Sequence, residues 1–311
     1  MIYNLFKVGL TLSLLFLACT FVYAQPSVRA LNKYMDEAKA GSYKTAPDRI
    51  FKDPDNTDKL LAASSSYLTD SVDRIRSKAY NIIKLLGLKS SNTSNRTRAV
   101  SLLTDGLDDS NNGISATNIT ALTQFKREDF DSNSRNKISG LVTSAYPHID
   151  KLAKLIGYLR LTESMQSLRS LPDENLSVEE KWAIRLALVR MNDDSAIQYV
   201  TGKLVNAPVN DDFVYDIVPD LIYTRNMDVF EFLESIIQSD ENNCRSANPD
   251  SNARILCGYR VLEYIAYAIE DFPVQVDEYN TAIIDDYETT LLNVRNWFTT
   301  NPTYTLRTEI Y

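Results

Sequence analysis

The sequence predicts an all-α protein, an α-α superhelix of about five or six helix pairs. Three observations predict it. Apolar residues recur at three- and four-residue steps through most of the chain, the period of an amphipathic helix. Strand-like alternation is almost absent. A helix–turn–helix pattern of roughly constant length returns along the chain, and each pair shows an apolar face that only a neighbour can cover.

Residues 1–24 stand apart from this pattern. Lys7 precedes an apolar run over 8–22, which is too short to span a bilayer comfortably. Val22-Tyr23-Ala24 places small residues where a signal peptidase cuts. The segment reads as a signal peptide, with the exported chain starting at Gln25. Phe16-Leu17-Ala18-Cys19 offers a competing reading, a bacterial lipobox that makes Cys19 a lipid anchor. No later apolar stretch reaches membrane-spanning length. Export makes Cys244 and Cys257, thirteen positions apart, a disulfide pair.

Residues 25–54 are polar, with one helix around 28–40, and serve as an N-terminal cap. The pair pattern covers 55–270. Over 71–88, Val72, Ile75, Ala79, Ile82, Ile83 and Leu86 form one stripe, with Arg74, Arg76, Lys78 and Lys84 on the remaining surface. Ser71 is the expected N-cap and Gly87 the expected stop. Helices follow at 178–191 and 195–205, the second capped by Asp194, and at 211–224 and 228–238. Ala79, Asn118, Ala153, Ala183 and Ile217 occupy equivalent stripe positions at steps of 39, 35, 30 and 34 residues. Residues 271–311 form a C-terminal cap: a helix over 277–300 carrying Ile283, Ile284, Leu291, Leu292, Trp297 and Phe298, then a loosely held tail over 303–311.

The run Asp73-Arg74-Ile75-Arg76-Ser77-Lys78-Ala79, followed by Ile83, Leu86 and Gly87, resembles the second helix of a HEAT repeat. The paired helices with short Asp-rich turns over 178–239 are similar to the same family, in an exported protein of bacterial type. In 91–145, Asn118 and Thr120 interrupt the stripe. The resemblance implies a solenoid whose second helices line a concave, partner-binding face. Its register has two readings. The Ile75-Arg76 match makes 71–88 a second helix with 211–224 as its equivalent, whereas Pro219 resembles the proline kink of a first helix.

Composition narrows the function. Lys and Arg number 33 against 41 Asp and Glu, a net charge of -8, so a phosphate backbone would be repelled and nucleic acid is excluded as a first reading. His148 is the chain's 1 histidine, which rules out sites built on two imidazoles. No Gly-x-Ser-x-Gly elbow, P-loop or GxGxxG occurs. Asp129, Asp131 and Asn133 begin like a calcium loop, but Ser134 and Gly140 stand where Gly and Glu are needed. Asp53, Asp55 and Thr57 depart in the same way. The acid pairs Asp108/Asp109, Glu179/Glu180, Asp211/Asp212 and Asp285/Asp286 suit helix starts.

No cofactor, metal or catalytic residue is therefore expected. Tyr215, Tyr223, Tyr259, Tyr264 and Tyr267 lie on successive C-terminal helices, where they fill helix seams or form a recognition surface. The leading expectation is a non-catalytic exported scaffold that binds a protein partner through its repeat surface. The alternatives are a glycan-binding or carboxylate-dependent hydrolase groove over 211–270, and a lipid-anchored assembly factor. Mass spectrometry of the exported chain is expected to find Gln25 as its first residue; a lipidated Cys19 would replace the scaffold with the anchored alternative.

Overall fold

The computed structural model describes residues 26–246, 248 and 250–311, so the expected signal segment over 1–24 and Cys19 lie outside the described residues. Helices dominate, and the strands are confined to one short hairpin. The chain divides into two compact units, the first ending at Asn95 and the second beginning at Arg96.

The first unit holds α1 (Pro26–Lys39), α2 (Thr57–Ser65) and α3 (Asp73–Lys89), each packed on the other two. Its core joins Leu31 and Met35 of α1, Ile50 of an intervening turn, Leu60 and Leu61 of α2, and Ile75, Ala79 and Ile83 of α3. The basic residues of α3 are not a solvent-facing set as the stripe pattern implies. The Arg74 guanidinium donates to the Ala38 carbonyl (2.6 Å) and Lys78 Nζ to the Tyr34 hydroxyl (2.8 Å). Arg76 is buried and donates to the Asp70 carbonyl (2.9 Å). Long cationic side chains cover apolar surface with their stems while their heads find acceptors, so polarity alone misplaces them. The cap and the stop also shift. Val72, not Ser71, is the N-cap residue, and α3 runs through Gly87 to Lys89.

The second unit opens within α4 (Thr93–Asp105) and continues with α5 (Asn112–Leu122), α6 (Ser132–Gly140), α7 (Ile149–Leu159), α8 (Met165–Arg169), α9 (Val178–Arg190) and α10 (Asp194–Leu204). A π-helical turn, Phe213–Ile217, leads into α11 (Val218–Thr224), which is followed by α12 (Met227–Gln238). The hairpin β1 (Cys244–Arg245) and β2 (Arg254–Ile255) precedes α13 (Cys257–Ile265) and α14 (Tyr287–Thr300). Two helix series emerge from the packing: α5, α7, α9, α11 and α13 each pack on the next, and so do α10, α12 and α14. Adjacent members pair across the series, α9 with α10, α11 with α12 and α13 with α14. Asn118, Ala153, Ala183 and Ile217 thus fall on successive members of the first series or on the turn leading into it.

Local chemistry explains the boundaries. Ser177 and Glu180 form a reciprocal capping box on α9 (3.1 and 2.7 Å). The cap of α10 is Asp193 rather than Asp194: its carboxylate accepts from the Ala196 N–H (2.7 Å). Residues 211–224 are helical throughout, as expected, but the proline is accommodated by a change of helix type: the π turn precedes Pro219 and places it in the first turn of α11, where a missing N–H is tolerated. Since 211–224 pairs with α12, it opens a pair rather than closing one. Residues 277–286 are irregular, and the C-terminal helix starts only at Tyr287, capped by Asp286 (2.9 Å to the Thr289 N–H). Leu292 is exposed, whereas Leu291, Val294 and Phe298 are buried.

The Cys244–Cys257 disulfide is formed and ties the hairpin to the start of α13. Closing a loop of this size contributes about 3 kcal/mol in the chain-entropy account. No helix of the described residues is long and apolar enough to cross a membrane.

The α7 helix packs closely on α9, and Gly157 permits it. A Cβ at 157 would collide with the Tyr223 hydroxyl and come within 2.9 Å of the Ala187 Cα and 3.0 Å of its carbonyl oxygen. Gly157→Ala is expected to lower the unfolding free energy by about 1–3 kcal/mol, since the obstruction is backbone rather than a movable side-chain tip. Denaturant unfolding followed by circular dichroism reads this, and an unchanged midpoint would contradict the packing.

Candidate functional site

The first helix series ends in a row of arginines and tyrosines. Tyr158 is one residue before the end of α7, Arg190 is the last residue of α9, and Tyr223 is one before the end of α11. Arg225 caps α11, and Arg127 follows α5. Cations belong at helix C-termini, where carbonyls lack internal partners. Arg190 accordingly donates to the Tyr223 carbonyl (2.6 Å), and Arg225 to the Ile222 carbonyl. Helix ends also recur in backbone form: Arg160, Asn192 and Arg225 take left-handed φ of 53°, 63° and 46° just after α7, α9 and α11.

The remaining guanidinium donors converge on residues 303–311. Arg225 Nε donates to the Arg307 carbonyl (3.0 Å), and Arg127 and Arg190 both donate to that of Thr308. The Tyr158 hydroxyl donates to the Phe125 carbonyl (2.8 Å), with the Glu309 carbonyl at 3.1 Å. Arg190 reaches the Ile310 carbonyl, and Arg225 that of Tyr311 (3.4 Å). The Tyr311 ring lies edge-on to Tyr158 (5.6 Å) and tilted against Tyr223 (5.4 Å). The Arg190 guanidinium covers the Tyr223 ring at 4.7 Å and the Tyr158 ring at 5.3 Å.

Upstream, Glu270 donates its N–H to the Thr305 carbonyl, and Arg307 donates its own to that of Ala268, both at 2.9 Å. Tyr304 packs with Trp297 and Phe298. The tail is therefore held along its length rather than loosely, with Leu306 buried. Main-chain carbonyls make most of these bonds, and they carry no sequence signal.

Electrostatics follow from desolvation. Burial lowers the Arg190 guanidinium to about 10, so it stays charged at neutral pH, and it lowers Arg127 and Arg225 as well. The Nε–H groups of Arg127 and Arg190 are buried without a partner. Burial raises the Tyr223 hydroxyl and pushes that of Tyr311 up to about 12. Tyr311 as a residue is 37% exposed; its phenol end is the sheltered part.

The five candidate tyrosines divide. Tyr223 and Tyr267 join the row, Tyr223 donating to the Lys154 carbonyl (2.6 Å) and Tyr267 lying under the Arg225 guanidinium (5.0 Å). Tyr259 packs edge-on to Tyr287. Tyr215 is 49% exposed and has Tyr264 as an electrostatic neighbour. Tyr215 also borders an open hollow of about 1100 Å³ with Asp211, Asp212, Glu241, Arg245 and Arg260. Both Asp211 oxygens there accept from the Arg245 main-chain N–H at 3.1 Å.

A second hollow, about 430 Å³, lies beside Tyr311. In it Asp220 takes Lys154 Nζ at 2.6 Å and the Trp182 indole N–H at 2.8 Å. Arg127, Tyr158 and Arg190 were not candidates on sequence; the recurrence of a basic or aromatic residue at helix ends was their one signal.

The remaining acids sit at helix starts and turns. Asp131 caps α6, accepting from the Ser134 N–H (2.8 Å), and Asp129 accepts from Arg96 (2.8 Å). Asp53 accepts from Ser27 (2.6 Å). His148 Nε2–H donates to the Asn112 carbonyl (2.8 Å). Among the described residues no three His, Cys, Asp or Glu side chains gather as a metal shell. The chain matches no known family model and no curated protein.

Arg190→Ala is expected to lower stability by about 2–4 kcal/mol, because the carbonyls of Tyr223, Thr308 and Ile310 lose a charged donor inside the protein. Denaturant unfolding measures it; a loss below about 0.5 kcal/mol would show that water replaces the guanidinium. The Tyr311 shift predicts a pH dependence. Its folded pKa exceeds the unfolded value, so its contribution is complete below pH about 10 and falls as pH rises toward about 12. Tyr311→Phe is expected to flatten this fall in unfolding midpoint between pH 10 and 12.

Proposed function

We propose that the chain is an exported, HEAT-like solenoid scaffold that binds a protein partner through its helical-repeat surface and carries no catalytic role. One observation carries this reading. Successive helices of one series present arginine and tyrosine side chains in a row, and the row grips a non-helical stretch of polypeptide by its main chain. A surface that solvates a main chain with fixed donors suits protein recognition, since every protein offers the same carbonyl acceptors.

The ordered helix series supports the solenoid, and the disulfide supports an oxidising compartment. The acids support a non-catalytic role: Glu180, Asp193 and Asp286 are helix caps, and Asp211 holds a main-chain N–H.

A glycan-binding or hydrolytic groove is the second reading, favoured by Tyr215 beside Asp211, Asp212 and Glu241 around the larger hollow. Photo-crosslinking in the native compartment separates the two. A photoreactive residue at exposed Tyr199 or Tyr215 is expected to join the chain to one defined protein. Failure to crosslink protein at either position, with saccharide binding to the purified chain, would replace the scaffold with the groove.

A further inference from the structure

The geometry points to an exchangeable peptide site: the row formed by Arg127, Tyr158, Arg190, Tyr223 and Arg225 binds a tyrosine-bearing segment of a partner protein, and residues 303–311 are its tethered occupant. This deepens the scaffold reading and rests on it.

Three features of the contacts support exchange. First, arginine donors address main-chain carbonyls at residues 307, 308, 310 and 311, on either side of a turn at Thr308–Glu309. Any segment following the same course presents the same acceptors to them. Second, the row cannot be left bare cheaply. Arg127, Arg190 and Arg225 are desolvated, and neighbouring guanidiniums add to the lowering at Arg127 and Arg190. A buried cation requires acceptors, but nothing requires that they come from this segment.

Third, within the carbonyl-bound stretch 307–311 the side-chain recognition centres on Tyr311, while Tyr304 and Leu306 anchor the stretch before it. The Tyr311 ring packs against Tyr158 and Tyr223 and borders the 430 Å³ hollow lined by Lys154, Trp182 and Asp220. Space continues beyond the ring, so the site takes a large aromatic residue with a polar or acidic group nearby. Glu309 supplies negative charge toward Arg127 and Arg225.

The tether governs access. Residues 303–311 follow α14 through the short Asn301-Pro302 link. An attached segment competes at an effective concentration in the millimolar range. A partner segment therefore enters when a second contact holds the partner in place, which is how a repeat surface gates its own groove.

The test uses the full chain with a site-specific protease sequence inserted at Asn301-Pro302, compared before and after cleavage. The probe is a fluorescently labelled peptide with the sequence of residues 303–311, followed by anisotropy. After cleavage the probe is expected to replace the native segment and bind at least about tenfold tighter than to the uncut chain. A probe with Arg307→Ala, Thr308→Ala and Ile310→Ala together is expected to bind within about threefold of the parent. One with Tyr311→Ala is expected to lose about tenfold.

Retention of the native segment without exchange over a day, or loss of the helical circular dichroism signal on cleavage, would overturn the proposal and make 303–311 a fixed strap. Loss of binding by the triple-alanine probe would overturn main-chain recognition. These outcomes leave the scaffold reading standing, because crosslinks at Tyr199 and Tyr215 do not depend on the groove.

Discussion

Positive charge removed from water is the constraint on which the second unit depends. Arg190 is 1% exposed, and its guanidinium is charged at neutral pH. A buried cation normally faces a carboxylate, whose own desolvation offsets much of the gain. Here the acceptors are carbonyls: one at the end of α11 and two on the 303–311 segment. Carbonyl dipoles at a helix C-terminus already lack partners, so each bond satisfies two groups that would otherwise be left unmade. The tyrosine rings complete the arrangement, since an aromatic face is the one apolar surface that attracts a guanidinium. The α7–α9–α11 packing, the glycine at 157 and the seating of the last residues all follow from placing these ends side by side.

Much of the architecture is legible in residue order. The helices read at 178–191, 195–205 and 228–238 are legible as apolar residues at helical spacing between short polar turns, whereas their caps at Ser177, Asp193 and Asn226 come from the structure. The disulfide is legible because Cys244 and Cys257 stand thirteen positions apart in the chain. The equivalence of Asn118, Ala153, Ala183 and Ile217 is legible as small or apolar stripe positions at near-constant steps, and the packing of α5, α7, α9 and α11 gives those steps a spatial meaning.

The misreadings share a cause. Arg74, Arg76 and Lys78 look like solvent residues because polarity is a property of the head group, whereas burial follows the stem and the availability of an acceptor across the unit. Residues 277–286 have helical apolar spacing but are irregular: the Asp277 carboxylate takes the Tyr279 and Thr281 N–H groups into a turn, and the helix starts only beyond the Asp286 cap. Pro219 suggests a kink, yet a π turn shifts the register so that the proline falls where a helix tolerates it.

The sequence by itself determined the all-α class, most helices of the second unit and the cysteine pair, because each rests on residues close together along the chain. Tertiary structure alone decided that Arg127, Tyr158, Arg190, Tyr223 and Arg225 meet, and that a segment up to 184 residues downstream lies across them. Periodicity reports which face of a helix is apolar. It carries no information about where a helix ends in space, nor about a segment held by its main chain, since every residue but proline brings the same carbonyl and N–H.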